Sequence, residues 1–145
     1  MISKISFALT MTALTICLLG CNMSDTKESR DITLKISNTV VPVIWEDNDT
    51  IMELKEQLTV EDITVSMSMY GGNEQVGSLG RSYTRNDKQT TTNNGDIVLY
   101  NGNNIVVFYG TNSWSYTRLG KMDLPEDEVT ELLSNGDITL TLSLK

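Results

Sequence analysis

An aromatic segment in the second half of the chain holds the residues best suited to binding a ligand. The candidate groove, between Gly95 and Gly120, consists of Tyr100, Phe108, Tyr109, Trp114, Tyr116 and Arg118. Aromatic rings cover apolar and peptide ligands and a guanidinium pairs with anions, so these residue types predict a site for a peptide or a small anionic ligand. Two other interpretations stay open. The rings also suit core and rim packing, and Arg118 also suits a structural salt bridge with one of the 19 acidic residues.

The chain lacks the residues of the common catalytic mechanisms. None of its 145 residues is histidine, which removes the commonest general base, the commonest zinc ligand and every Ser-His or Cys-His pair. The glycines of residues 71–80 lack the lysine and the helix that follow in a phosphate-binding loop. Neighbouring acidic residues at 47–49 and 61–62 would suit hydrolysis by paired carboxylates, although their positions favour capping and turns. We therefore expect no catalytic residue, no metal site and no cofactor.

The charge balance argues against nucleic acid as a partner. The chain has 11 basic and 19 acidic residues and a formal net charge of −8. No segment concentrates lysine and arginine as a phosphate-binding face would.

The amino terminus predicts a secreted protein with a lipid anchor. Lys4 supplies a positive charge, residues 5–19 are apolar, and Gly20 precedes Cys21, as in a bacterial signal peptide. Residues 18–21, LLGC, resemble the lipobox of bacterial lipoproteins. That resemblance implies cleavage before Cys21 and attachment of lipid to this residue, through which the protein would be held on a membrane. An ordinary secreted protein with a chance cysteine is the alternative.

This interpretation divides the chain into three parts. We predict a signal peptide over residues 1–20, a polar tether over 21–30 and a single domain over 31–145. The predicted location is the cell envelope, and Asn22 after the lipidated cysteine favours the outer membrane in a cell with two membranes. Cys17 leaves with the signal, so the mature chain would have no disulfide.

The domain alternates between apolar and polar residues over short stretches, which indicates strands. Strands are predicted over residues 31–37, 40–45, 61–70, 96–100, 105–109, 116–119 and 137–145. Pro42 marks an edge or a bulge because it cannot donate to a sheet. Residues 101–104 predict a hairpin turn, whereas residues 71–94 and 110–115 are expected to be loops, the second carrying Trp114.

Two short helices interrupt this pattern. The first is predicted over residues 50–58, with Thr50 and Glu53 as a capping box, and the second from Pro125 to Gly136. Met67 and Met69 are expected in the core rather than at a metal. Seven or eight strands and two helices predict an all-β domain, either a closed barrel or a sandwich. Helices at these positions would cover the open ends of a barrel, which favours the barrel.

Several segments resemble the small bacterial cyclophilin-like proteins. They are Tyr70 to Glu74, the hairpin GDIVLYNGNNIVVFYG, the run NSWSYTRLGKM, and the last helix and strand. The resemblance covers residues 32–144 and implies a closed eight-stranded barrel with a helix at each end. The chain departs from true cyclophilins because it lacks their catalytic Phe-His-Arg motif, so that site cannot be transferred.

Two functions remain open at this point. The first is a non-catalytic module of the cell envelope that binds a peptide or a small ligand. The second is a weak peptidyl-prolyl isomerase that uses another arginine, such as Arg81 or Arg118.

Overall fold

One antiparallel sheet forms most of the protein in the computed structural model, which describes residues 30–145. Its strands are β1 (Ile32–Ile36), β2 (Thr39–Val41), β3 (Val43–Trp45), β4 (Ile63–Tyr70), β5 (Glu74–Ser78), β6 (Lys88–Thr91), β7 (Asp96–Tyr100), β8 (Asn104–Phe108), β9 (Ser113–Met122) and β10 (Ile138–Leu144). Two helices accompany them, α1 (Asp49–Leu58) and α2 (Glu126–Leu133). The predicted signal peptide, Cys21 and residues 22–29 lie outside the described residues.

The sheet curls into a nearly closed barrel, and Pro42 lies between its two end strands. The strand order is β2-β1-β10-β4-β5-β8-β7-β9-β3, with β6 also paired to β9. The two end strands, β2 and β3, are consecutive in the chain and separated only by Pro42. Because proline has no N–H, the single strand predicted over residues 40–45 breaks there: β2 pairs with β1, and β3 pairs with β9. The all-β fold with two helices and a barrel-shaped sheet is confirmed.

The main core fills the inside of this barrel. Both helices contribute to it, since Leu54 of α1 and Leu133 of α2 are fully buried in the same cluster as the inward residues of the strands. The helices pack near opposite ends of β7. Before β7, Gly95 lies against Val129 of α2. After β7, the Gly102 carbonyl accepts from the Tyr83 N–H, and the neighbouring Thr84 is bonded to Thr50 of α1.

The start of α1 differs from the predicted capping box. The N-cap is Asn48, whose side chain accepts from the Ile51 N–H at 3.0 Å. Thr50 instead donates to the Thr84 carbonyl at 2.6 Å, and Glu53 accepts from the backbone N–H and the hydroxyl of Thr84. The capping box was wrong because both side chains fix a distant loop, a contact that local spacing does not reveal.

Two predicted loops contain strands. Residues 71–94 include β5 and β6, and Trp114 lies within β9, opposite Thr90 of β6. The β5 strand escaped prediction because its sequence EQVGS has a single apolar residue, Val76, and therefore shows no alternation. A Cβ on Gly77 would lie 2.4 Å from Val65 Cγ1, so the strands are too close there for a side chain.

The strand β4 also ends differently from expectation. Met67 is buried as predicted, but Met69 is 38% exposed. The core prediction for Met69 was therefore wrong. Met69 is the next-to-last residue of β4, and the last three residues of this strand are exposed.

Candidate ligand-binding site

The sheet carries a second apolar cluster on its outer face. It consists of Val98, Val106, Phe108 and Tyr116, with Val76 packed against it. The strands β7 and β8 bury both faces, which is why their sequences DIVLY and NIVVF do not alternate. Ile97 and Leu99 face the main core and Val98 between them faces outward. The outer face of β7 and β8 is therefore apolar, as the inner face is.

A cavity of about 430 Å³ lies over this outer cluster. It is lined by Tyr70, Glu74, Val76, Tyr100, Val106, Asn112, Trp114 and Tyr116. We call it the aromatic cavity. Strand register explains how it forms: Glu74 stands between Tyr70 and Phe108 on the neighbouring strands, and Val76 stands opposite Val106. Side chains directly opposite each other in a sheet lie on one face, so β4, β5 and β8 contribute to one surface.

The walls of the cavity are aromatic rings set at an angle to one another. The rings of Tyr100 and Tyr116 have centroids 6.1 Å apart and an interplanar angle of 67°. Phe108 supports Tyr116 from the buried side at 5.7 Å and 65°. The Tyr116 hydroxyl accepts from Asn112 Nδ2 at 2.7 Å, which fixes the ring in place. Trp114, 58% exposed, stands at the rim.

Glu74 is the unusual residue of this site. It is only 8% exposed, and its Oε2 is buried without a hydrogen-bond partner among the described residues. Burial raises the pKa of its carboxyl group, because removal from water disfavours the charged form. The next residue, Gln75, points into the core and donates to the carbonyls of Leu133 and Gly136, both at 2.7 Å. Gln75 therefore holds α2, whereas Glu74 has no structural contact that accounts for a buried acid.

The structure brings together three of the six predicted groove residues. Tyr100, Trp114 and Tyr116 line the aromatic cavity. Phe108 is fully buried beneath it, and Tyr109 packs against the main core instead. Whether any of them binds a ligand stays a prediction.

Arg118 lies outside the aromatic cavity, in a separate cleft. Its Nη2 is 3.1 Å from Asp96 Oδ1 and its Nε is 3.5 Å from Glu46 Oε1. Asp96 is almost fully buried and also accepts from the Asn93 N–H at 2.8 Å. The structural salt bridge considered for Arg118 is thus present. The aromatic cavity lacks the arginine on which the expectation of an anionic ligand depended.

Arg81, the other arginine considered for catalysis, is also engaged elsewhere. Its Nη1 donates to Gln57 Oε1 at 2.9 Å, and its guanidinium lies 4.7 Å from the centroid of the Tyr83 ring. No arginine or lysine lines the aromatic cavity among the described residues.

The remaining acidic residues do not form a metal site in the described part of the chain. Within residues 30–145, no group of three or more histidine, cysteine or acidic side chains is placed to hold a metal ion. Asp49 is the first residue of α1, and Glu61 and Asp62 are exposed between α1 and β4. Over the same residues, no helix combines the length and the apolar character needed to cross a membrane.

Five cavity residues were missed by the sequence prediction: Tyr70, Glu74, Val76, Asn112 and Val106. Two of them, Glu74 and Val76, lie in β5, which was expected to be loop. Once β5 is recognised, its period of two places both side chains on one face, so an acid beside valine on an apolar face was the available signal.

Comparison with known proteins identifies the domain. A family model, described as the cyclophilin-like family, matches residues 34–143, from within β1 to within β10. Searches of curated proteins and of solved structures gave no match.

Proposed function

The chain belongs to the cyclophilin-like family, and we propose that it is a lipid-anchored binding module of the cell envelope that takes up a peptide or a small ligand in the aromatic cavity. The observation that carries the binding proposal is a buried carboxyl oxygen, Glu74 Oε2, that has no hydrogen-bond partner among the described residues and lies in a cavity lined by aromatic rings. Ligand pockets are typically concave, about 300–1,000 Å³ in volume, and apolar with a few polar groups. The aromatic cavity has these properties.

The arrangement supports binding rather than proline isomerisation. Isomerisation of the cyclophilin kind would need a guanidinium beside the substrate amide. The described residues that line the aromatic cavity include no arginine, and both Arg81 and Arg118 are held by other side chains. We therefore expect a protease-coupled assay on a proline peptide to show no acceleration over buffer.

Two tryptophans allow the binding proposal to be tested inside one molecule. The Trp114 ring lines the cavity, whereas the Trp45 indole N–H donates to the Ile32 carbonyl at 2.9 Å. In ¹⁵N-labelled full-length protein, members of a library of capped tripeptides and small polar ligands should shift the Trp114 indole signal and leave the Trp45 signal in place.

A matched substitution separates cavity binding from surface binding. Trp114→Ala should abolish the response of the neighbouring cavity resonances, and Ile44→Ala, which removes another exposed apolar side chain, should leave it unchanged. If no library member shifts any cavity resonance, or if Trp45 responds equally, the cavity is not the binding site.

The anchoring proposal is supported by the LLGC segment and its position after an apolar run. Metabolic labelling with a radioactive fatty acid tests it. The wild type and Cys17→Ser should incorporate label, whereas Cys21→Ser should incorporate none. Label retained in Cys21→Ser would refute anchoring at this residue.

A further inference from the structure

We propose that the aromatic cavity recognises an alkylated ammonium group, paired with the carboxylate of Glu74 and bordered by the rings of Tyr100, Trp114 and Tyr116. This inference rests on the proposed function, because it names the chemical class of ligand that the same cavity would bind.

The first argument is charge. Glu74 is the only charged residue among those that line the cavity, and no ion pair reaches it in the described part of the chain. A carboxylate removed from water is costly unless a cation or hydrogen-bond donors compensate it. The protein supplies neither to Oε2. A cationic ligand would supply the missing charge.

The second argument is the set of aromatic rings along the cavity. The face of an aromatic ring carries partial negative charge and attracts organic cations, and rings set at an angle can contact such a cation on several sides. Tyr100 and Tyr116 meet at 67°, and Trp114 stands on the same rim. Trimethylated and similar ammonium groups have few or no N–H donors, which suits a wall that offers ring faces rather than many acceptors.

Other ligand classes fit less well. A hard metal ion such as Ca²⁺ takes about six to eight oxygen ligands, and this cavity offers one carboxylate. An anion would meet Glu74 without a basic partner in the cavity. Lys88 stands opposite Tyr116 in the β6–β9 pairing, but it lines the cleft of Arg118.

Glu74 is the group in the cavity that can carry a negative charge. Tyr70 faces it from β4, Tyr100 from β7 and Tyr116 from β9, while β8 contributes Phe108 and Val106, which do not titrate. Burial raises the pKa of the Tyr116 hydroxyl, so this group stays neutral. The carboxylate is therefore the counter-charge available to a cation.

The test compares two ligands of the same shape and different charge. Choline and its neutral carbon analogue 3,3-dimethyl-1-butanol are titrated into full-length protein at constant ionic strength, with the Trp114 indole signal as the readout. The wild type should bind choline about tenfold or more tightly than the analogue, as expected when a cation gains a carboxylate partner and ring faces. Glu74→Gln, which keeps the shape of the side chain and leaves the rings in place, should lose most of this preference and retain the affinity for the neutral analogue.

Control variants and outcomes separate this inference from the proposed function. Glu46→Gln removes a carboxylate beside Arg118 and should leave choline binding unchanged. Equal affinities for choline and the analogue in the wild type would overturn the ammonium inference and keep the cavity as a binding site. If neither probe binds while library compounds shift Trp114, the inference also fails and the proposed function stands. If no compound of either set shifts Trp114, both fail.

A further titration of the same kind determines whether the ammonium group belongs to a protein side chain or to a small molecule. A short peptide that contains trimethyllysine replaces choline as the probe. Tighter binding of the peptide assigns the cavity to a protein side chain, and tighter binding of choline assigns it to a small molecule. The proposal is supported if Glu74→Gln weakens the binding of either probe. It is contradicted if Glu74→Gln weakens the binding of neither.

Discussion

Replacing Glu74 with methionine should stabilise the fold at neutral pH. Its Oε2 is buried without a partner, and leaving a buried polar atom unsatisfied costs about 1–3 kcal/mol. Methionine has a similar length and fills irregular apolar space, next to the valines of the outer cluster. Since about 1 kcal/mol shifts the midpoint of a domain of roughly 100 residues by about 4 °C, the variant should melt about 4–12 °C higher.

The pH dependence of this gain follows from the direction of the pKa shift. Burial raises the pKa of Glu74 above its ordinary value of 4.5, so the folded state binds the proton more tightly than the unfolded state. The wild type is then favoured below pH 4.5 and loses stability as pH rises through the higher folded pKa. The advantage of Glu74→Met should therefore be smallest at pH 4 and largest at pH 8.

Thermal unfolding followed by circular dichroism at pH 4, 6 and 8 measures this difference. Glu74→Gln serves as an intermediate, because it removes the charge and keeps a buried polar group. Glu56→Met, at an exposed position of α1, should change the midpoint little at any pH. The reasoning is refuted if Glu74→Met melts below the wild type at pH 8, or if its advantage does not vary with pH.

Three further predictions concern the scaffold. Arg118→Met should lower the free energy of unfolding by about 1–2 kcal/mol in urea titrations, because it leaves the buried Asp96 without its ion-pair partner. The partial exposure of Arg118 keeps the loss small, and unchanged stability would contradict this prediction. Leu54→Ala should cost about 2–5 kcal/mol and Met52→Ala, exposed on the same helix, under about 0.5 kcal/mol; similar losses would refute the assignment of helix faces. Gly77→Ala should lower the free energy of unfolding by about 1–3 kcal/mol in the same titrations, because its Cβ would lie 2.4 Å from a side-chain carbon of β4. Unchanged stability would disprove this close approach.

Local patterns were sufficient to predict much of the fold. The β7–β8 hairpin is where its two apolar runs placed it, and its turn uses Asn101 and Gly102 at φ values of 55° and 76°. Pro125 precedes α2 as predicted. These features depend on a few neighbouring residues, so the sequence alone specifies them.

The aromatic cavity could be predicted only in part because its residues come from five strands far apart in the chain. Tyr70 and Glu74 meet Tyr116 through the order β4-β5-β8-β7-β9, and strand order is not encoded by any local pattern. Arg118 is only two residues from Tyr116 in β9, yet a strand rises about 3.3 Å per residue. That distance is enough to place its guanidinium with Asp96 rather than with the aromatic rings.

The pH dependence of tetramethylammonium binding tests the central claim, that the unpartnered carboxylate of Glu74 is a ligand contact, most directly. A cation favours the ionised carboxylate, so its affinity for the wild type should rise between pH 4 and pH 8, by up to about tenfold per pH unit below the raised pKa of Glu74, and then level off. Glu74→Gln should show weak binding without this rise, and neutral tert-butanol should bind the wild type equally at every pH. Tetramethylammonium affinity that is the same at pH 4 and pH 8 in the wild type, or unchanged by Glu74→Gln, would contradict the claim.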